Sequence, residues 1–147
     1  MLDLSISIVS TNERHLIENL LPTLYSASEF ISKEVILIDN ASNDNLGKIL
    51  DSKYSNLSII RNKKKLSFGT NHNIGIKASK GRYILVLNPD ILFPKGESCI
   101  TKMIEFMDGH PDCGVSGCGV YHLDNNFAFP ARKFVDPFII LSRRLPF

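Results

Sequence analysis

Hydrophobic positions along the chain switch between a period of two and a period near 3.6, and each switch predicts an element. Leu4 to Ser10 alternates apolar and polar residues, is rich in Ile and Val, and reads as a strand; Thr11-Asn12 follows as a helix cap, with the first helix beginning there. Leu16, Ile17, Leu20, Leu21 and Leu24 recur at helical spacing, while Pro22 in their midst predicts a kink or a short break. Glu34 to Ile38 is the second strand, ending at Asp39, and Ser42 or Asn43 can cap a helix through about Tyr54 with Leu46, Ile49 and Leu50 inward. Leu57 to Arg61 is a short third strand. Gly69 to Ser79 carries Ile74 and Ala78 at helical spacing and stops at Gly81, read as a left-handed C-terminal residue. Arg82 to Leu87 is the fourth strand. After Pro94 a helix fits Ser98 to Met107, closed by Gly109 and Pro111, and Gly114 to Leu123 reads as another strand. Asp124-Asn125-Asn126 turns that strand back into Phe127 to Phe129 as a hairpin, or continues as a loop.

The repeated β-α-β-α order implies an α/β fold: a mostly parallel sheet, helices on both faces, right-handed crossovers. In such a sheet the residues just past the strands converge, here Ser10-Thr11-Asn12, Asp39 to Ser42, Asn62 to Gly69 and Asn88-Pro89-Asp90. The last group ends the apolar strand Leu85-Val86-Leu87. An acidic oxygen at that corner suits a hard divalent cation and hence phosphate chemistry, although on these residues alone Asp90 after a proline reads first as a plain turn residue. Asp39 is placed either to accept hydrogen bonds from a base or ribose or to organise an Asx-type turn over Asn40 to Asn43. Gly69 to Gly75, GTNHNIG, brings amide and imidazole side chains to a helix start, where free N–H groups favour anions and polar ligands. It is not G-x-G-x-x-G, and no P-loop is present, which removes most support for nicotinamide chemistry and NTP hydrolysis.

Charge and composition narrow the classes further. The 147 residues suit one domain, and 44% hydrophobic with 22% charged residues reads as globular. A net charge of +2 sets up no global field that calls for nucleic acid. Apolar runs fall far short of the roughly 20 residues needed to cross a bilayer, and the start Met1-Leu2-Asp3 lacks the basic region of a signal peptide, so the cytoplasm is the expected location. Cys99, Cys113 and Cys118 lack C-x-x-C spacing and are expected as reduced, buried thiols. His15, His72, His110 and His122 share no metal spacing; only His72 falls in a site loop, where a pocket-wall role suits it best.

Four words in order carry a resemblance: Ile8-Val9-Ser10; Val35 to Asp44, VILIDNASND; Ser67 to Ile76, SFGTNHNIGI; and Tyr83 to Asp90, YILVLNPD. The chain resembles the N-terminal, donor-binding half of family 2 inverting glycosyltransferases of GT-A fold, most closely the rhamnosyltransferase branch that builds bacterial surface polysaccharides. The likeness spans about Ser5 to Ile91, with a weaker echo in Ala131-Arg132-Lys133-Phe134. It implies that Ser10, Thr11, Asn12, Asp39, Asn40, Phe68, Gly69, Asn73 and Asn88 line a nucleotide-sugar site, Asp39 holding the base or ribose. Asn88-Pro89-Asp90 then stands in the place of the family's D-x-D, with Asn88 where the first Asp belongs, and Asp90 is the main ligand of Mg²⁺ or Mn²⁺ on the donor's diphosphate. The implied donor is dTDP-rhamnose or a UDP-sugar, the acceptor a polysaccharide or lipid-linked glycan. Residues 1–123 would form the nucleotide-sugar-binding subdomain and 124–147 the start of an acceptor-side half.

An inverting transfer also needs a general base. Asp124 and Asp136 do not match the family's acidic motif, which places the base beyond Phe147 and predicts weak or absent transfer by this chain alone. Two basic features remain. Arg61, Lys63, Lys64 and Lys65 read as a solvated loop. Arg132-Lys133 with Phe138 to Arg144 reads either as an interfacial helix at anionic headgroups, giving peripheral membrane contact, or as a helix that packs on further protein. A sugar nucleotidyltransferase would need a Gly-rich basic loop after the first strand, and Ser10-Thr11-Asn12-Glu13 is not one. The stronger rival is a non-catalytic nucleotide-sugar-binding or regulatory module.

Overall fold

The computed structural model describes residues 2–46, 54 and 56–128. Its contacts divide the chain into two compact units, Met1–Asp112 and Cys113–Phe147.

The first unit is built on a parallel sheet of β1 (Leu4–Ser10), β2 (Lys33–Asp39), β3 (Leu57–Arg61) and β4 (Tyr83–Leu87), in the order β3-β2-β1-β4. Leu4 pairs with Lys33 on one side and Tyr83 on the other, and Asp39 pairs with Arg61. The chain thus moves outward from β1 to β3, then returns to the opposite side of β1. That reversal falls between β1 and β4, where diverging loops leave a crevice at the carboxyl ends.

Alternation along β1 separates two helical layers. Leu4, Ile6 and Ile8 join Val35, Leu37 and Leu87 in a core closed by α1 (Arg14–Ala27) through Ile17, Leu20, Leu21 and Leu24. Each such leucine removed from water contributes roughly 2 kcal/mol. The burial of its apolar stripe carries α1 through Pro22 unbroken. The opposite face of β1 presents Ser5 and Ser7, and α2 (Phe68–Ala78) lies on it. A Cβ at Gly75 would collide with Ser7 Oγ and stand 3.7 Å from Ile38 Cδ1, so the missing side chain sets how closely α2 approaches the sheet. Ile100 of α3 (Cys99–Gly109) joins the α1 side of the core, as do Met103 and Ile104 at its margin.

Several boundaries differ from the sequence reading. The first helix starts at Arg14, with Glu13 rather than Thr11-Asn12 at its N-cap, because Asn12 takes a left-handed φ of 60° that a helix start cannot use. Neither Ser42 nor Asn43 caps the next helix: helical geometry begins at Leu46, whose N–H donates to Asp44 Oδ1 at 3.3 Å. The body expected through Tyr54, with Ile49 and Leu50, lies outside the described residues. Gly81 is not a left-handed helix end, since α2 stops at Ala78 and the positive-φ glycine among the described residues is Gly96. Gly81 is needed for a close approach instead, a Cβ there meeting Ser5 N at 2.5 Å. Cys99, Cys113 and Cys118 form no disulfide among the described residues, and, against expectation, none is buried.

In the second unit the strand expected over Gly114 to Leu123 shrinks to β5 (Val120–Tyr121), paired antiparallel with β6 (Phe127–Ala128). The hairpin alternative therefore holds. Asp124 caps its turn by accepting from Asn126 N at 3.0 Å, and Asn125 takes φ 64°. That backbone bond, with a second from the Asn126 amide, holds the Asp124 carboxyl below its ordinary pKa. Phe129, the Ala131 to Phe134 echo and the Phe138 to Arg144 segment lie outside the described residues. Among the described residues no helix is long and apolar enough to cross a membrane.

Candidate functional site

A cleft of about 360 Å³ opens where the sheet reverses. Thr11 follows β1, Asn40 follows β2, Leu66 and Phe68 enter α2, and Asn88-Pro89-Asp90 leaves β4; Glu13, Asn71 and His72 complete its polar wall. The sheet topology, rather than any one loop, brings these residues together.

Asn40 organises the rim. Its amide nitrogen donates to Thr11 Oγ1 at 3.1 Å and to Leu66 O at 3.2 Å, while its oxygen accepts from Leu66 N at 2.7 Å and from Asn62 Nδ2 at 3.3 Å. Asn62 also donates to Asn71 Oδ1 at 2.6 Å, and Asn71 returns two bonds to the carbonyls of Leu66 and Ser67. A short polar side chain with two donors and two acceptors can tie three loops at once, which an aspartate or leucine cannot. The network fixes the wall before any ligand arrives.

Asp39 stands behind this wall. Only 2% exposed, it accepts from Ser42 N at 2.8 Å through Oδ1 and faces Arg61 Nε at 3.5 Å through Oδ2. Arg61 also donates to Ser42 O at 2.7 Å. Of the two roles open to Asp39 in the sequence, the structure displays the turn, and its carboxylate does not line the cleft.

The remaining expected residues divide similarly. Thr11, Asn40, Phe68, Asn88 and Asp90 line the cleft; Ser10, Asn12, Gly69 and Asn73 do not. Ser10 is buried with an unpartnered Oγ, Asn12 accepts from Asn43 N at 2.7 Å, and Gly69 and Asn73 are exposed on α2. Sequence reasoning passed over Glu13, Leu16, Leu66 and Asn71 as lining residues. The available signal for Glu13, Leu16 and Leu66 was their place three to six residues past a strand end. Leu66 and Asn71 also sit inside a polar stretch where an apolar residue and a third amide need a reason.

His72 is 4% exposed, with Nδ1 3.2 Å from Ser7 Oγ and a buried Nε2 that has no partner. Burial holds its pKa below the ordinary histidine value, so the imidazole is neutral near pH 7. The Phe68 ring crosses it edge-on at 4.5 Å and is itself 64% exposed.

Asp90 is exposed at the cleft mouth and, among the described residues, its carboxylate makes no hydrogen bond or ion pair. Asn88 lies two residues before it on the same wall. Among the described residues no three His, Cys, Asp or Glu side chains cluster as a metal cage. One free carboxylate with a neighbouring amide oxygen fits a hard cation that takes most of its ligands from water and substrate phosphate, which is how Mg²⁺ commonly binds.

The model of glycosyl transferase family 2 matches residues 5–146. The chain belongs to that family. This glycosyltransferase domain is 27% identical over 96 residues, 63% of its length, to the uncharacterized glycosyltransferase MJ1057 of Methanocaldococcus jannaschii. The chain covers 32% of that relative, so it spans about a third of the protein it matches. Among solved structures it is similar to TarS 1-349 of S. aureus in complex with UDP, with a TM-score of 0.65, 25% identity, and coverage of 82% of this chain and 38% of that one. The mannosyltransferase PcManGT of Pyrobaculum calidifontis, in complex with GDP-Man and Mn²⁺, gives a TM-score of 0.64 at 17% identity, covering 73% of this chain and 34% of that one. The parallel sheet and its helices are those of GT-A glycosyltransferases.

Proposed function

We propose that this family 2 domain is the donor-binding part of an inverting glycosyltransferase of the rhamnosyltransferase-like branch. It would hold dTDP-rhamnose or a UDP-sugar for transfer to a polysaccharide or lipid-linked glycan in the cytoplasm, with residues 1–123 as the nucleotide-sugar subdomain and 124–147 beginning the acceptor side. The observation that carries this reading is the cleft at the topological switch point, rimmed by a prebuilt amide network and ending at the free carboxylate of Asp90. Nucleotide-sugar ligands in solved relatives, UDP-GlcNAc in TarS and GDP-Man with Mn²⁺ in PcManGT, support the same class of donor.

Asp90 and Asn88 are the residues that would hold Mg²⁺ or Mn²⁺. A bound cation supplies Lewis-acid charge to the departing nucleoside diphosphate. The domain's own residues do the rest: the Asn40, Asn62 and Asn71 amides hold the wall together, Phe68 offers a face for a planar ring, and Thr11, bonded to Asn40, and Glu13 continue the lining. Calorimetric titration of UDP and dTDP with Mg²⁺, Mn²⁺ or chelator tests the proposal. Metal-assisted binding of either nucleotide supports it; no binding under any condition contradicts it.

A further inference from the structure

His72 carries a donor that the fold leaves unspent. Ser7 sits mid-strand on β1, and its hydroxyl has His72 Nδ1 as its one side-chain partner among the described residues. Two arrangements of protons are available to that pair. If Nδ1 carried the hydrogen, the buried Ser7 O–H would lack an acceptor and Nε2 would be a bare lone pair. If Ser7 donates to Nδ1, the hydroxyl and Nδ1 satisfy each other, the imidazole proton must sit on Nε2, and that N–H is the single group left unmet instead of two. An unmet buried polar group costs about 1–3 kcal/mol, so the second arrangement is favoured. It leaves one neutral N–H, buried in the cleft wall without a partner.

The surroundings limit what that N–H can receive. Asp90, the free carboxylate suited to a metal diphosphate, belongs to the loop after β4, whereas His72 belongs to α2 and lies against the Phe68 ring. Phe68 is largely exposed, and among the described residues His72 is its ring partner, so the ring is free to yield its place over the imidazole to another planar group. A neutral donor beside an aromatic face matches an oxo-nucleobase, whose ring stacks and whose exocyclic carbonyl accepts.

We propose that Ser7 locks His72 in its Nε2–H tautomer and that His72 selects the nucleotide by donating to a carbonyl oxygen of the base, favouring uracil and thymine over adenine. Ser7, out of reach of the ligand, is a positioning residue. The inference rests on the proposed nucleotide-sugar function.

The test pairs imidazole nitrogen NMR on the free domain with calorimetry of UDP, dTDP and ADP at fixed Mg²⁺. The wild-type spectrum is expected to show His72 as the Nε2–H tautomer, and Ser7→Ala to shift it toward a mixture. UDP and dTDP are expected to bind roughly tenfold more tightly than ADP, with that ratio collapsing in His72→Phe and largely restored in His72→Gln, which keeps a donor. Ser7→Ala guards against a folding defect at His72, and it should narrow the ratio while leaving the Asp90-dependent metal requirement in place. An Nδ1–H tautomer in the wild type, or a UDP to ADP ratio unchanged by Ser7→Ala and His72→Phe, overturns the inference while the donor-binding reading stands. Absence of any nucleotide binding removes both.

Discussion

Asn40 grips Leu66 by both of its backbone groups, accepting from its N–H at 2.7 Å and donating to its carbonyl at 3.2 Å. The pair works like a rung of sheet added past the ends of β2 and β3, and it draws the approach to α2 into the cleft wall. Asn40→Ala removes the acceptor of Leu66 N, while the Leu66 carbonyl and Asn62 Nδ2 each lose one bond and keep the one to Asn71. Urea unfolding should show a loss of roughly 1–3 kcal/mol. Asn40→Asp is expected to fall short of restoring it, because a carboxylate accepts from Leu66 N but cannot donate to Thr11 or to the Leu66 carbonyl.

Gly75 sets the distance between α2 and β1. A methyl group there meets Ser7 Oγ and approaches Ser7 Cβ to 3.0 Å, so Gly75→Ala forces helix and strand apart. The intrinsic helix preference of alanine works in the other direction by about 1 kcal/mol. Overpacking at a tight contact costs about 1–3 kcal/mol, and the net expectation is a lower melting temperature with a disturbed His72 signal in NMR. A more stable Gly75→Ala variant would show that the contact relaxes freely.

The turn role of Asp39 is separable from a ligand role. Asp39→Ala removes the acceptor of Ser42 N and the partner of Arg61, so thermal stability should drop even in the absence of nucleotide. Unchanged stability of the free protein, together with weakened nucleotide binding, would return Asp39 to the ribose or base.

How much of this was legible depends on whether a signal was local. Strand identities were, because Ile and Val alternate in Leu4 to Ser10 and run continuously through Val35 to Ile38, and β-branched residues in short runs have few other uses. From those strands the parallel order and the convergence of Thr11, Asn40, Phe68, Asn88 and Asp90 followed by topology. The details that went astray depend on contacts between distant segments. Gly81 reads as a helix stop until the backbone of Ser5 is placed against it. Asp39 reads as either a ligand carboxylate or a turn residue, and the turn contacts show only once Ser42 N and Arg61, the latter paired with it in the register of β2 and β3, are placed beside it. Glu13 was invisible as a lining residue because Asn12, with its left-handed turn, moves the helix start one step further along the chain.

Acid should weaken the domain through His72. Its folded-state pKa lies below the ordinary 6.5, so as pH falls the unfolded chain takes up the proton before the folded one does. Stability is full above about pH 6.5 and declines as pH drops through the window between that value and the folded pKa. Chemical unfolding of the wild type and of His72→Gln across about pH 5 to 8 checks the sign: the wild type should lose stability toward acid more steeply than the variant. Parallel curves would place the acid sensitivity elsewhere.

An electron paramagnetic resonance titration of Mn²⁺ with the domain, with and without UDP or dTDP, in the wild type and in Asp90→Ala, tests most directly whether Asp90 holds a donor-bridging metal. Asp90 is exposed and unpaired among the described residues, so the variant should fold and melt as the wild type does. With Asp90 as metal ligand, the free Mn²⁺ signal falls well below that of nucleotide alone when wild-type domain is added, and Asp90→Ala abolishes this further loss. Equal Mn²⁺ uptake by wild type and variant in the presence of nucleotide would contradict that role of Asp90.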